Sequence, residues 1–159
     1  MDIKYRFLPT ACLALFYLCM PLSLQAGEWF KDPESGCAVW GEQSQPIVTV
    51  YWAGECVDGK ASGKGVMEVH IDKMPFSKYE GDYKEGKADG YGILTTPGES
   101  RYEGEFKDNN IHGHGVVIST DGKRLEGNYE NGLPNGRFTL TTPDGTSVEM
   151  EFDHGKRIK

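Results

Sequence analysis

Apolar and polar residues alternate with a period of two in several short segments after residue 50. In residues 79–84, Tyr79 and Tyr83 fall on one face of an extended chain, whereas Glu80 and Asp82 fall on the other. Short β-branched segments follow, and turn-forming residues separate the segments. No stretch after residue 26 shows a sustained period of 3.6 residues. The pattern therefore predicts an all-β chain built of successive hairpins.

This alternating pattern recurs at a constant step. Its central position is Gly81, and the next copies are centred on Gly104, Gly127 and Met150, each 23 residues further on. An earlier copy is centred on Gly54, 27 residues before Gly81, which indicates a four-residue insertion. A period of about 20 to 50 residues is typical of a repeat array. We therefore predict an elongated, single-layer antiparallel meander of tandem hairpins.

The second half of each unit is rich in glycine. In one unit Gly86 and Gly90 are followed by Tyr91 and Gly92. We align Asn110 of the next unit with Gly86. Asparagine and glycine both tolerate a positive φ angle. We therefore predict that Asn110 lies in a left-handed turn.

Equivalent positions of the repeat form columns across the predicted sheet. The aromatic columns contain Tyr79, Tyr83, Tyr102, Phe106 and Tyr129, and the structural glycines between them are Gly54, Gly81, Gly104 and Gly127. The glycines leave room for neighbouring rings to lie across the backbone. Lys64, Tyr91 and His114 stand between paired glycines and differ from unit to unit. The candidate binding surface consists of the aromatic columns, if they are exposed, with Tyr91 and His114; the alternative is that the columns only pack.

The first 26 residues have the pattern of a signal peptide. Lys4 and Arg6 precede an apolar stretch, residues 7–24, and small residues permit cleavage after Ala26. The stretch contains two prolines and is short for a transmembrane helix of about 20 residues. We predict a cleaved signal peptide, and export to the periplasm or out of the cell. We predict that residues 27–50 form an N-terminal cap and that residues 51–157 form a repeat array of four to five hairpins.

Cleavage would leave two cysteines, Cys37 and Cys56, which allow one intramolecular pairing. In an oxidising compartment we interpret them as a structural disulfide rather than as free thiols or metal ligands. The same cleavage would leave 15 basic and 23 acidic residues, a net charge of −8. This acidic balance argues against nucleic acid as a partner, since phosphate binding needs an excess of lysine and arginine.

Residues 79–92 resemble the MORN (membrane occupation and recognition nexus) repeat, in which an aromatic residue, a charged residue, glycine and a second aromatic precede spaced glycines. Residues 102–115 fit the pattern with one asparagine, while residues 125–138 depart from it at Leu125 and Phe138. The segment from Cys37 to Gly59 is similar to exported bacterial proteins with this repeat. The resemblance implies a twisted single sheet that serves as an interaction or assembly module without a catalytic domain.

Three possible chemical sites are weak. Residues 59–65 resemble a phosphate-binding loop but have three residues between Gly59 and Gly63 instead of four, and no helix is predicted after them. The acidic column consists of Glu80, Glu103, Glu126 and Glu149. Its members would stand about 9.5 Å apart at two strand spacings, too far for shared calcium coordination. His112 and His114 lack an evident third metal ligand. We expect no cofactor, metal or catalytic residue.

The leading hypothesis is a non-catalytic scaffold that mediates protein–protein interaction in the cell envelope or outside the cell. The alternative is a module that binds phospholipid or the envelope surface, suggested by the basic C-terminal residues 156–159. A third hypothesis is an enzyme acting on an envelope polymer. Exposed edge strands also make homodimerisation a hypothesis.

Overall fold

The computed structural model describes residues 27–41, 48–98 and 100–159, and every regular element in these ranges is a β-strand. The strands are β1 (Glu28–Lys31), β2 (Ala38–Gly41), β3 (Val48–Val57), β4 (Lys60–Ile71), β5 (Met74–Lys84), β6 (Lys87–Thr95), β7 (Arg101–Lys107), β8 (Asn110–Ile118), β9 (Arg124–Glu130), β10 (Leu133–Thr141), β11 (Ser147–Asp153) and β12 (Lys156–Arg157). The described ranges contain no helix that is long and apolar enough to cross a membrane. The predicted signal peptide lies outside the described residues.

The strands belong to one twelve-stranded sheet. From β3 to β12 each strand pairs antiparallel with the next, as in a meander. The N-terminal hairpin, formed by β1 and β2, joins this sheet through one parallel bridge between Ala38 and Lys60. A disulfide between Cys37 and Cys56, with 5.9 Å between the two Cα atoms, ties the hairpin to the end of β3. The predicted single-layer meander and disulfide are confirmed.

Two-residue turns join the strands of each repeat hairpin, and both turn residues have a positive φ. Between β5 and β6 they are Glu85 (51°) and Gly86 (84°). This is the pattern of type I′ turns, whose twist matches that of the flanking strands. In the next unit the turn residues are Asp108 (48°) and Asn109 (70°), while Asn110 already begins β8. The prediction of a left-handed Asn110 is therefore wrong, because the 23-residue step from Gly86 ends at Asn109.

The side chain of Asn109 explains why asparagine is suitable in this turn. Its Oδ1 accepts a hydrogen bond from the backbone N–H of Ala88 at 2.7 Å, and its Nδ2 donates to the carbonyl of Trp40 at 3.0 Å. The first bond joins two repeat units, and the second joins the array to the N-terminal hairpin. Asn109 thus combines left-handed geometry with two tertiary contacts that glycine cannot make.

A second glycine of each unit lies in a β-bulge. The pairing of β7 with β8 shifts between Gly104 and Phe106, so that residues 112–114 oppose the single residue Glu105. Gly113 in this bulge has a φ of 64°, a conformation that side chains other than glycine rarely adopt. Equivalent shifts of register occur between β3 and β4, between β5 and β6, and between β9 and β10.

One face of the sheet, which we call the packed face, carries an unbroken zigzag of aromatic rings. Its members are Trp52, Tyr83, Tyr79, Phe106, Tyr102, Tyr129, Phe138 and Phe152. Successive ring centroids lie 4.6 to 5.5 Å apart in edge-to-face geometry, which is worth about 0.5–1.5 kcal/mol per contact beyond area burial. A single layer with no second sheet thus obtains a core from its own rings. The opposite, open face carries the charged residues of each strand.

The predicted insertion lies in the hairpin of β4 and β5, which we call the long hairpin. These strands have 12 and 11 residues, whereas β7 and β8 have 7 and 9. Asp72 and Lys73 form its turn, with φ angles of 50° and 67°. The extra residues extend the long hairpin beyond the ends of the other strands.

Candidate functional site

The five aromatic residues of the predicted binding surface all lie on the packed face. Tyr79, Tyr83, Tyr102, Phe106 and Tyr129 have exposed fractions between 0% and 7%. Burial raises the pKa of Tyr102 far above its usual range, so its hydroxyl stays protonated and remains a donor. These rings present almost no surface to a partner in the folded protein.

Each tyrosine at the start of a repeat lies flat over paired glycines. The Tyr102 ring covers Gly104 and Gly115, and its hydroxyl donates to the carbonyl of Glu105 at 3.1 Å. A Cβ on Gly104 would stand 2.5 Å from the Tyr102 oxygen and 2.5 Å from the Gly115 Cα. Tyr79 has the same arrangement over Gly81 and Gly92. The glycine columns therefore provide the space in which the rings pack against the backbone.

In the fourth unit, a ring from a different position fills the space above the glycine. Leu125 stands where the earlier units have tyrosine, and Phe138 stands where they have the last glycine. The Phe138 ring lies over Gly127, where a Cβ would be 2.5 Å from its Cδ1, and Phe138 is only 1% exposed. The ring has therefore moved from one strand to its neighbour while the space above the glycine stays filled.

Tyr91 and His114, the other predicted binding residues, lie on the open face. The Tyr91 hydroxyl donates to Glu103 at 2.9 Å, and His114 Nε2 lies 3.2 Å from a Glu126 oxygen. The hydrogen bond to Glu103 raises the pKa of the Tyr91 phenol. Tyr91 is 52% exposed. These side chains form a polar surface that a partner could contact, and no group of three or more candidate metal ligands occurs among the described residues.

The packed face also contains a cleft that the sequence did not predict. The N-terminal hairpin contributes Phe30, Val39 and Trp40 to it, and the long hairpin contributes Val69, Ile71 and Phe76. The cleft has a volume of about 280 Å³. Val50, Met67 and Leu94 line its floor. In this cleft a ligand could reach apolar side chains of the described residues without opening the aromatic zigzag.

Backbone hydrogen bonds hold the N-terminal hairpin over this cleft. The Ala38 N–H donates to the Gly59 carbonyl at 2.9 Å, and the Trp40 N–H donates to the Gly86 carbonyl at 2.8 Å. Both acceptors belong to the two-residue turns of the repeat. The turns therefore support the hairpin directly, and the disulfide fixes its other end.

Asp32 anchors the loop between β1 and β2 to the array. Burial raises the pKa of its carboxyl, but hydrogen bonds from the Ser35 hydroxyl and from the backbone N–H groups of Ser35, Trp52 and Glu34 outweigh burial and leave the pKa below its ordinary value. The bond from Trp52 also occupies a backbone donor of β3. An edge-strand homodimer through β3 would have to use other backbone groups.

Two irregularities of the sequence carried a signal for the cleft. The insertion before Gly81 builds the long hairpin, and the apolar residues around Trp40 build the opposite wall. Both features are visible in the sequence, but their proximity is not, because nothing in the repeat period says where the N-terminal hairpin packs.

The comparisons with known proteins agree with this architecture. The family profile of the MORN repeat matches residues 52–68, 79–101, 102–124 and 126–147, which together make up more than half of the chain. A search of curated proteins found no match. The four matched segments follow the hairpin repeat seen in the sheet.

Proposed function

Because the chain belongs to the MORN repeat family, we propose that it is an exported, non-catalytic scaffold that binds a protein partner at the cleft beneath its N-terminal hairpin. MORN repeats are generally non-catalytic binding repeats. The disulfide supports export, since such bonds persist in oxidising compartments.

One observation carries the proposal. The N-terminal hairpin and the long hairpin are the two departures from the repeat that precede Gly81, and both line the same apolar cleft. In an array of similar units, the parts that occur once are those that can distinguish one partner from another. The buried aromatic rings recur in each unit and supply stability instead.

The alternative of phospholipid binding has less support. The described residues that line the cleft include no lysine or arginine, and anionic headgroups bind cationic side chains. The acidic balance of the chain after residue 26 also opposes attraction to an anionic membrane. A protein partner needs no such cation.

Site-specific photocrosslinking tests the proposal. A photoreactive residue at Met74, which is 70% exposed at the tip of the long hairpin, is compared with the same residue at Tyr91 on the open face. We expect one protein adduct of discrete mass from position 74 and none from position 91. Adducts from position 91 alone, or from neither position, would contradict the proposed site.

Export is tested on the same protein. Mass spectrometry of the purified chain should show an N-terminus at Gly27, and thiol labelling without reductant should leave Cys37 and Cys56 unmodified. A chain that retains residues 1–26 would refute cleavage.

A further inference from the structure

The polar groups of the cleft are almost all engaged. Asp108 pairs with Lys87 at 3.2 Å, the Asn109 amide bonds Ala88 and Trp40, and the Asn110 amide donates to the Asp108 carbonyl at 3.2 Å. Each of these side chains therefore has a partner within the protein. They define the polar rim of the cleft and leave little capacity for a ligand.

Ser77 is the exception. It lies on the packed face opposite Val69, lines the cleft and is 93% buried. Its hydroxyl makes no hydrogen bond to any residue that the structure describes. The Ser77 oxygen is not sealed from solvent, so a hydrogen-bonding group of a ligand in the cleft would replace water at this hydroxyl.

The size and charge of the cleft restrict that ligand. A volume of about 280 Å³ holds roughly nine groups of water or methylene size, at about 30 Å³ each. This is roughly the space of one large apolar side chain with an adjoining peptide group. Among the described residues of the lining, Asp108 alone is charged, and Lys87 already pairs with it, so a carboxylate or phosphate would find no unpaired cation there.

From these observations we infer that the cleft binds an uncharged, apolar peptide segment, whose backbone amide forms a hydrogen bond with the Ser77 hydroxyl. The inference rests on the proposed function and names the part of the partner that the cleft takes. A fatty acyl chain has the apolar character but brings an acidic headgroup in its common forms. A peptide supplies both apolar side chains and a neutral hydrogen-bonding group.

Titration of ¹⁵N-labelled protein, with its disulfide intact, tests the inference. The probe is a Val-Phe-Leu tripeptide that is acetylated and amidated, and the comparison ligands are the same tripeptide with a free carboxylate, decanoate, and phosphatidylcholine vesicles. We expect the neutral peptide to shift the amide signals of Val69 and Ser77 and to leave Tyr91 and His114 unchanged. The free carboxylate should weaken binding at least threefold.

Variants isolate the hydroxyl. Ser77→Ala should weaken binding of the neutral peptide about fivefold, whereas Ser77→Thr, which keeps a hydroxyl, should bind within twofold of the original protein. Ser147→Ala removes an exposed hydroxyl from a distant strand and should have no effect. Thermal unfolding of each variant confirms that the fold is retained before binding is measured.

Several results would overturn the inference: no shift at Val69 and Ser77 with the neutral peptide, equal binding by Ser77→Ala, or preferential binding of decanoate or vesicles. Crosslinking from position 74 separates this failure from failure of the proposed function. If Ser77→Ala still yields the position-74 adduct in full, the scaffold function stands and the role assigned to Ser77 is wrong.

Discussion

The exchange of ring and glycine in the fourth unit can be transplanted into the third. Leu125 and Phe138 correspond, 23 residues earlier, to Tyr102 and Gly115. The double variant Tyr102→Leu/Gly115→Phe would therefore remove the ring from one strand and supply another from its neighbour. If the structure explains the exchange correctly, the two substitutions compensate each other.

The single variants should both be destabilising. Tyr102→Leu loses edge-to-face contacts with Phe106 and Tyr129, at 5.2 and 5.5 Å, and the hydrogen bond to Glu105; from the usual worth of such contacts we expect a loss of about 2–4 kcal/mol. In Gly115→Phe the new Cβ would stand 2.5 Å from the Tyr102 Cζ. Overpacking of this kind costs at least about 1–3 kcal/mol.

In the double variant the phenylalanine fills the space that the tyrosine ring vacates. We expect it to be more stable than the sum of the single effects predicts by about 2 kcal/mol, within the range of coupling energies between contacting residues. Urea unfolding followed by tryptophan fluorescence, with the disulfide intact, measures all four proteins. Tyr102→Leu/Gly92→Phe is the control, because Gly92 lies under Tyr79 instead, and it should show no compensation. Simple additivity in the Tyr102/Gly115 cycle would refute the exchange.

Three further predictions concern the N-terminal hairpin and its anchors. Asn109→Ala should lower the free energy of unfolding by about 2 kcal/mol, since it loses two hydrogen bonds and strains a left-handed residue. Asn109→Gly should lower it by about half as much, because glycine adopts the left-handed conformation without strain. Equal losses for the two variants in urea unfolding would refute the contribution assigned to backbone conformation. Asp32 has a folded pKa below its ordinary 3.8, so its stabilising effect is complete above pH 3.8 and is lost as the pH falls through the folded value. The stability difference between the original protein and Asp32→Asn should therefore shrink below pH 3.8, and a difference that stays constant would contradict the assigned role. Replacing Cys37 and Cys56 by serine should cost about 3 kcal/mol in the chain-entropy account, and dithiothreitol should lower the melting temperature of the original protein but not that of the variant.

The repeat fold was accessible from the sequence because its determinants lie inside each unit. Alternation with a period of two places Tyr79 and Tyr83 on one face, and glycines at fixed positions permit the turns and bulges. These are local rules, so a 23-residue step is enough to predict a meander. The misplaced Asn110 shows the limit of such alignment: an error of one residue exchanges a turn residue for a strand residue.

The repeat unit, its 23-residue step and the one possible pairing of Cys37 with Cys56 can therefore be read from the sequence alone. Which surface remains available depends on the tertiary structure. The aromatic residues proposed as a binding surface are buried, because a single layer has no other source of a core. The cleft exists because Trp40 meets Asn109, 69 residues further along the chain, and because the long hairpin rises beside it. Contacts at such separations depend on how the whole sheet bends, and no periodicity within a unit encodes them.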